Sequence, residues 1–108
     1  MDTKNILDVL PEENAILAVA EAMKQLGDPT RLRIFWLLCH TEKCVLDIGA
    51  IISMSAPAVS HHLRVLKAAG LLTTRRMGKE VYYKAADTPL VNKLHITIEE
   101  LAEIQCPN

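Results

Sequence analysis

Ser53-Met54-Ser55-Ala56-Pro57-Ala58-Val59-Ser60-His61-His62-Leu63-Arg64-Val65-Leu66-Lys67-Ala68-Ala69-Gly70 reads as a tight turn followed by a helix over about 56–69. Ser55 has an N-cap side chain, Pro57 is tolerated in a first turn, and Gly70 ends the run. At about 100° per residue, Val59, Leu63 and Leu66 fall on one side and make the packed face. The opposite arc carries Pro57, Ser60, His61, Arg64, Lys67 and Ala68 and holds no acidic residue. Hydroxyl, imidazole and guanidinium on one exposed face can donate to base edges or phosphates in a major groove. His62 falls near the packed side, so it is expected to be satisfied within the fold.

Upstream, Val45–Ile52 suits a short helix, and the turn between it and 56–69 makes a helix-turn-helix. Downstream, Leu72–Arg76 and Glu80–Lys84 are strand-like runs around Met77-Gly78-Lys79, a hairpin signal. A hairpin in that place is the wing of a winged helix-turn-helix. Arg75, Arg76 and Lys79 surround its turn and suit phosphate contact. Further out, Glu12–Leu26 has apolar residues at helical spacing, and Gly27 stops it. Asp28-Pro29 caps a second helix to about Cys39, with Leu32, Phe35, Leu38 and Cys39 inward. Thr88-Pro89 opens a last helix to about Ile104, whose stripe is Leu90, Leu94, Ile98 and Leu101. His95 lies off that stripe and is expected at the surface. Residues 1–11 are expected as an arm or short helix, and 12–108 as one DNA-binding and dimerisation domain. The expected fold is mainly α, with about five helices and a two-stranded wing, in a dimeric assembly.

The composition fits. The 108 residues suit one domain, and the 50% hydrophobic content excludes a disordered chain. Only Phe35, Trp36, Tyr82 and Tyr83 are aromatic, so the core must be aliphatic. The longest apolar runs, 15–20 and 34–39, are far shorter than the roughly 20 residues of a membrane span. No signal-peptide pattern is present, so a cytoplasmic location and no membrane partner are expected. Residues 53–84 hold six basic residues against Glu80 alone, while the rest holds six basic and twelve acidic residues. The net charge of −1 thus hides a basic third, the footprint of a polyanion partner.

Four motifs resemble the ArsR/SmtB family of bacterial winged helix-turn-helix repressors. They are Leu26-Gly27-Asp28-Pro29-Thr30-Arg31-Leu32-Arg33-Ile34, Ser55–Leu63, Leu66–Leu71 and Gly78–Tyr83, and the resemblance spans about residues 15–104. It implies a homodimer, an inverted-repeat operator in double-stranded DNA, and release by an inducer, usually a metal or metalloid ion. It also implies that the first and last helices pair between subunits, with Ile16, Met23, Leu90, Leu94 and Leu101 in the seam. One sensing site of the family reads Cys-Val-Cys-Asp. Here Cys44-Val45-Leu46-Asp47 keeps the first thiol only. A second family site is reduced to Asp87 and Glu103, with Pro89 and Glu100 where histidines stand.

The sensor is therefore expected among the thiols. Cys39 and Cys44 flank a helix end and a loop, and Cys106 lies on the tail. Such thiolates suit arsenite, cadmium or lead, and with His40 or Asp47 also zinc. No obligatory cofactor is expected. An alternative is a winged-helix module that binds an acidic protein through the same basic face, or a regulator without a metal sensor site. An enzyme is not expected: the chain has no phosphate-binding glycine loop, no Cys-x-x-Cys and no convincing nucleophile–base pair.

Overall fold

The computed structural model describes residues 9–105. Cys106 and most of the expected N-terminal arm lie outside these. The elements run α1 (Glu13–Leu26), α2 (Pro29–His40), β1 (Lys43–Cys44), α3 (Val45–Ile52), α4 (Ala56–Ala68), β2 (Leu72–Met77), β3 (Glu80–Ala85) and α5 (Pro89–Ala102).

Local chemistry sets most boundaries. Each of Asp28, Ser55 and Thr88 precedes a helix with proline in its first turn. Each accepts a hydrogen bond from the backbone N–H three residues on: Arg31 at 2.9 Å, Ala58 at 3.3 Å and Val91 at 3.2 Å. Glu12 caps α1 through both carboxylate oxygens. The fold departs from the sequence reading at the end of the last helix and in the sheet. The last helix ends at Ala102, two residues early, because Glu103 turns left-handed (φ 56°) and the Ile104 N–H bonds to the Glu99 carbonyl. The sheet has three strands, ordered β1-β3-β2, rather than two. Lys43 and Cys44 pair with Tyr83 and Tyr82.

The hairpin register places Met77 opposite Glu80, leaving Gly78 and Lys79 in the turn. Gly78 has φ +64°, which suits a residue without a Cβ. The core is aliphatic around one ring: Phe35, Ile34, Leu38, Ile48, Val59, Leu63, Leu66 and Leu71 are fully buried. Leu63, Leu66 and Val59 are the apolar face expected on α4. Gly49 is what lets α3 meet the turn before α4. A Cβ there would stand 2.7 Å from the Met54 carbonyl oxygen.

The last helix divides its apolar residues. Val91 is buried, while Leu90, Leu94 and Ile98 are partly buried against the chain's own core. Ile96, Leu101 and Ile104 face outward, as do Ile16, Leu17 and Met23 on or beside α1; Leu101 is 80% exposed.

Candidate nucleic-acid interface

Helix α4 stands on the core through Val59, Leu63 and Leu66, which fixes what its other side presents. Pro57, His61, Arg64, Lys67 and Ala68 are exposed, and Ser60 is half-buried at the edge. Arg75, Arg76 and Lys79 are exposed on the hairpin beside it. Lys67 Nζ donates to Thr74 Oγ1 at 3.3 Å, which ties the helix to the wing. The exposed basic residues of the arc and the wing thus lie on neighbouring, tied elements.

His62 turns the other way, as its position on the helix implies. Its Nδ1 lies 3.4 Å from Arg31 Nη1. Burial pushes its imidazole below the usual range, with Asp28 opposing and Arg31 adding to the shift. Asp28 is itself held low, first by the Arg31 backbone N–H it accepts.

Arg75 has a partner that sequence reasoning missed. Glu42, in the loop between α2 and β1, takes its Nε at 2.8 Å and its Nη2 at 2.6 Å on one carboxylate oxygen. This bond holds the Glu42 carboxyl below its ordinary range and raises the guanidinium. One wing cation is therefore held by a carboxylate of the neighbouring loop.

The thiols are placed differently from one another. Cys44 is buried, caps the start of α3 without a side-chain bond and sits in β1 against Tyr82. Cys39 is half-buried against the core and lines a surface cleft of about 350 Å³ with Glu42, Asp87 and His95. Among the described residues, neither belongs to a group of three donors able to hold a metal ion. His95, expected at the surface, is instead half-buried. It meets His40 from the end of α2 and Glu99 from its own helix. The signal was present in part: His95 and Glu99 are spaced to share one helix face.

A tight turn, a groove-sized helix with a polar basic outer face and a basic hairpin behind it define a winged helix-turn-helix of the DNA-binding class. The comparisons narrow this. The pattern of the arsR family of bacterial regulatory proteins matches residues 28–74. A cadmium resistance transcriptional regulatory protein CadC homologue from Staphylococcus aureus is 41% identical over 90 residues, covering 80% of this chain and 74% of its own. A transcriptional repressor SmtB homologue from Synechocystis is 40% identical over 85 residues, covering 79% of this chain and 64% of its own. The chain thus spans less than two thirds of that relative's length. A homodimeric winged helix-turn-helix DNA-binding domain from Mycobacterium bovis, solved by NMR, superposes with a TM-score of 0.74 at 31% identity, covering 87% of this chain and 88% of that one. The chain belongs to the ArsR/SmtB family of transcriptional regulators, which is not a family of enzymes. No helix among the described residues is long and apolar enough to cross a membrane.

Proposed function

We propose that this chain is a homodimeric repressor that reads an inverted-repeat operator and leaves it when an inducer binds. The observation that carries the reading is the acid-free exposed arc of α4 beside the basic hairpin. In this reading Ser60, His61 and Arg64 address base edges, with Pro57 and Lys67 at the margin. Arg75, Arg76 and Lys79 address phosphates, which position the protein without specifying sequence.

The dimer reading is supported by the apolar side chains left outward on α1 and α5, among them Ile16, Met23 and Leu101. Leu90 and Leu94 contribute less to a seam, because they also pack on the core. A two-fold dimer presents two α4 helices to successive major grooves.

For the inducer, the chemistry of Cys44 suits a soft metal or metalloid ion or a thiol-reactive compound. Its strand pairs with Tyr82 of the wing, and α3 starts directly after it. A ligand on that thiol would strain both parts of the reading head. Cys39 and Cys106 are further candidates for the same chemistry.

The test is competition between operator and random duplex. His61→Ala or Arg64→Ala should change operator preference by about 1–3 kcal/mol at the affected base pair. If both leave the specific-to-random ratio unaltered, α4 does not read bases.

A further inference from the structure

We propose that His40, His95 and Glu99 form a site for a borderline divalent cation of the zinc class, set in the seam between α2 and α5. Its effect on DNA rests on the repressor reading above; the site itself does not. The site is distinct in place and chemistry from the thiolate position at Cys44.

The donor atoms already converge. His40 Nε2 and His95 Nε2 are 2.9 Å apart. The first lies 3.1 Å from Glu99 Oε2 and the second 3.1 Å from Glu99 Oε1. Bonds of about 2.0–2.1 Å to a tetrahedral ion would place neighbouring ligand atoms about 3.3–3.4 Å apart. A few tenths of an ångström of opening therefore admits the ion.

Protons alone satisfy this arrangement poorly. Each Nε2 has one in-plane position, holding either a hydrogen or a lone pair. Donation to Glu99 by both rings leaves no lone pair for the contact between them. Donation from one ring to the other leaves the accepting nitrogen facing a carboxylate with nothing to give. A cation resolves the conflict, because both lone pairs and the carboxylate can point at it together.

The surroundings suit a metal centre. Glu99 is only 9% exposed, and Trp36 Nε1 donates to its Oε2 at 3.0 Å, which orients the carboxylate. The Trp36 ring packs 4.6 Å from His40, and His40 meets His95 edge-on at the same distance. A surface cleft reaches the site at His95, one of its three donors, and offers a route in. Two imidazoles and a carboxylate select zinc-like ions over the soft ions that thiolates favour.

The position also has leverage. His40 ends α2, and β1 and α3 follow within a few residues. An ion would pin that junction to α5, the helix with the outward apolar side chains. It weakens operator binding if it favours the DNA-incompatible arrangement.

The test titrates zinc chloride into the metal-free protein, read by calorimetry and by emission of Trp36, the chain's single tryptophan. The expected result is one ion per protomer and a change in emission. His95→Gln and His40→Gln should weaken binding at least about tenfold, and Trp36→Phe, read by calorimetry, about 10–100-fold. Zinc should weaken operator binding by wild type about 5–150-fold, and that of His95→Gln far less. Unperturbed melting and operator affinity of zinc-free His95→Gln show that the variant folds. If zinc does not bind, or binds equally to both histidine variants, the cluster is a hydrogen-bonded strut and the site is overturned. If zinc binds there without loosening the operator, the effector role is overturned. If metal-free protein shows no operator preference, the repressor reading fails, while the titration still decides the site.

Discussion

Glu42→Gln should tighten DNA binding without touching a DNA-facing residue. In the free protein the Glu42 carboxylate holds two guanidinium nitrogens of Arg75, at 2.6 and 2.8 Å. Arg75 must leave it to reach a phosphate. The glutamine keeps an oxygen acceptor but removes the charge that phosphate has to displace. If Arg75 then makes one fuller phosphate contact, the log–log salt slope steepens by up to about 0.9. Between 50 and 200 mM salt that slope change corresponds to about a 3.5-fold larger gain at the low-salt end. The gain should be equal on operator and random duplex, since phosphates carry no sequence. Fluorescence anisotropy across a salt series measures it for Glu42→Gln, Arg75→Ala and the double variant. An unchanged slope in Glu42→Gln, or a gain that survives in the Arg75→Ala background, would mean that Glu42 does not compete with phosphate for Arg75.

Gly49→Ala should destabilise the fold by about 1–3 kcal/mol, because its Cβ would press on the Met54 carbonyl at 2.7 Å; denaturant unfolding reads it, and a neutral result would mean the turn before α4 moves freely. Acid should lower stability. The His62 imidazole is held below its ordinary 6.5, so its contribution is present above that value and lost as pH falls through the folded one. Glu42 and Asp28 act in the same sense below their ordinary 4.5 and 3.8, so the melting temperature should fall further as pH is lowered past these values, and one that rose steadily as pH fell from 7 to about 2.5 would contradict all three assignments. Leu101→Lys should put a charge into the proposed subunit seam and shift sedimentation toward the monomer, with the wild type dimeric at micromolar concentration. Cys44→Ser should keep operator affinity and lose the response to arsenite or cadmium; a full response would move the soft-ion sensor elsewhere.

The architecture was legible where its causes are local. Asp28-Pro29, Ser55 with Pro57 and Thr88-Pro89 each carry an N-cap and a helix-compatible proline, and all three helices start there. The face of α4 followed from periodicity alone, and so did the inward lean of His62. Most of what was not legible depends on distant partners. Lys43 and Cys44 are a strand only because Tyr83 and Tyr82 pair with them. The early end of α5 has no glycine to announce it; Glu103 takes the left-handed turn instead. The Arg75–Glu42 pair and the His40–His95–Glu99 cluster join residues 33 to 59 positions apart. Only the helical spacing of His95 and Glu99 hinted at the cluster, and nothing local brings His40 to it.

In the proposed dimer, two copies of α4 read DNA as a symmetric pair. Selection from a random-sequence duplex pool by the full chain tests it most directly. The expected result is enrichment of an inverted repeat whose half-sites lie one helical turn apart, about 10–10.5 base pairs centre to centre, or a multiple of that spacing. Recovery of a single unpaired half-site, or of no sequence preference at all, would contradict it.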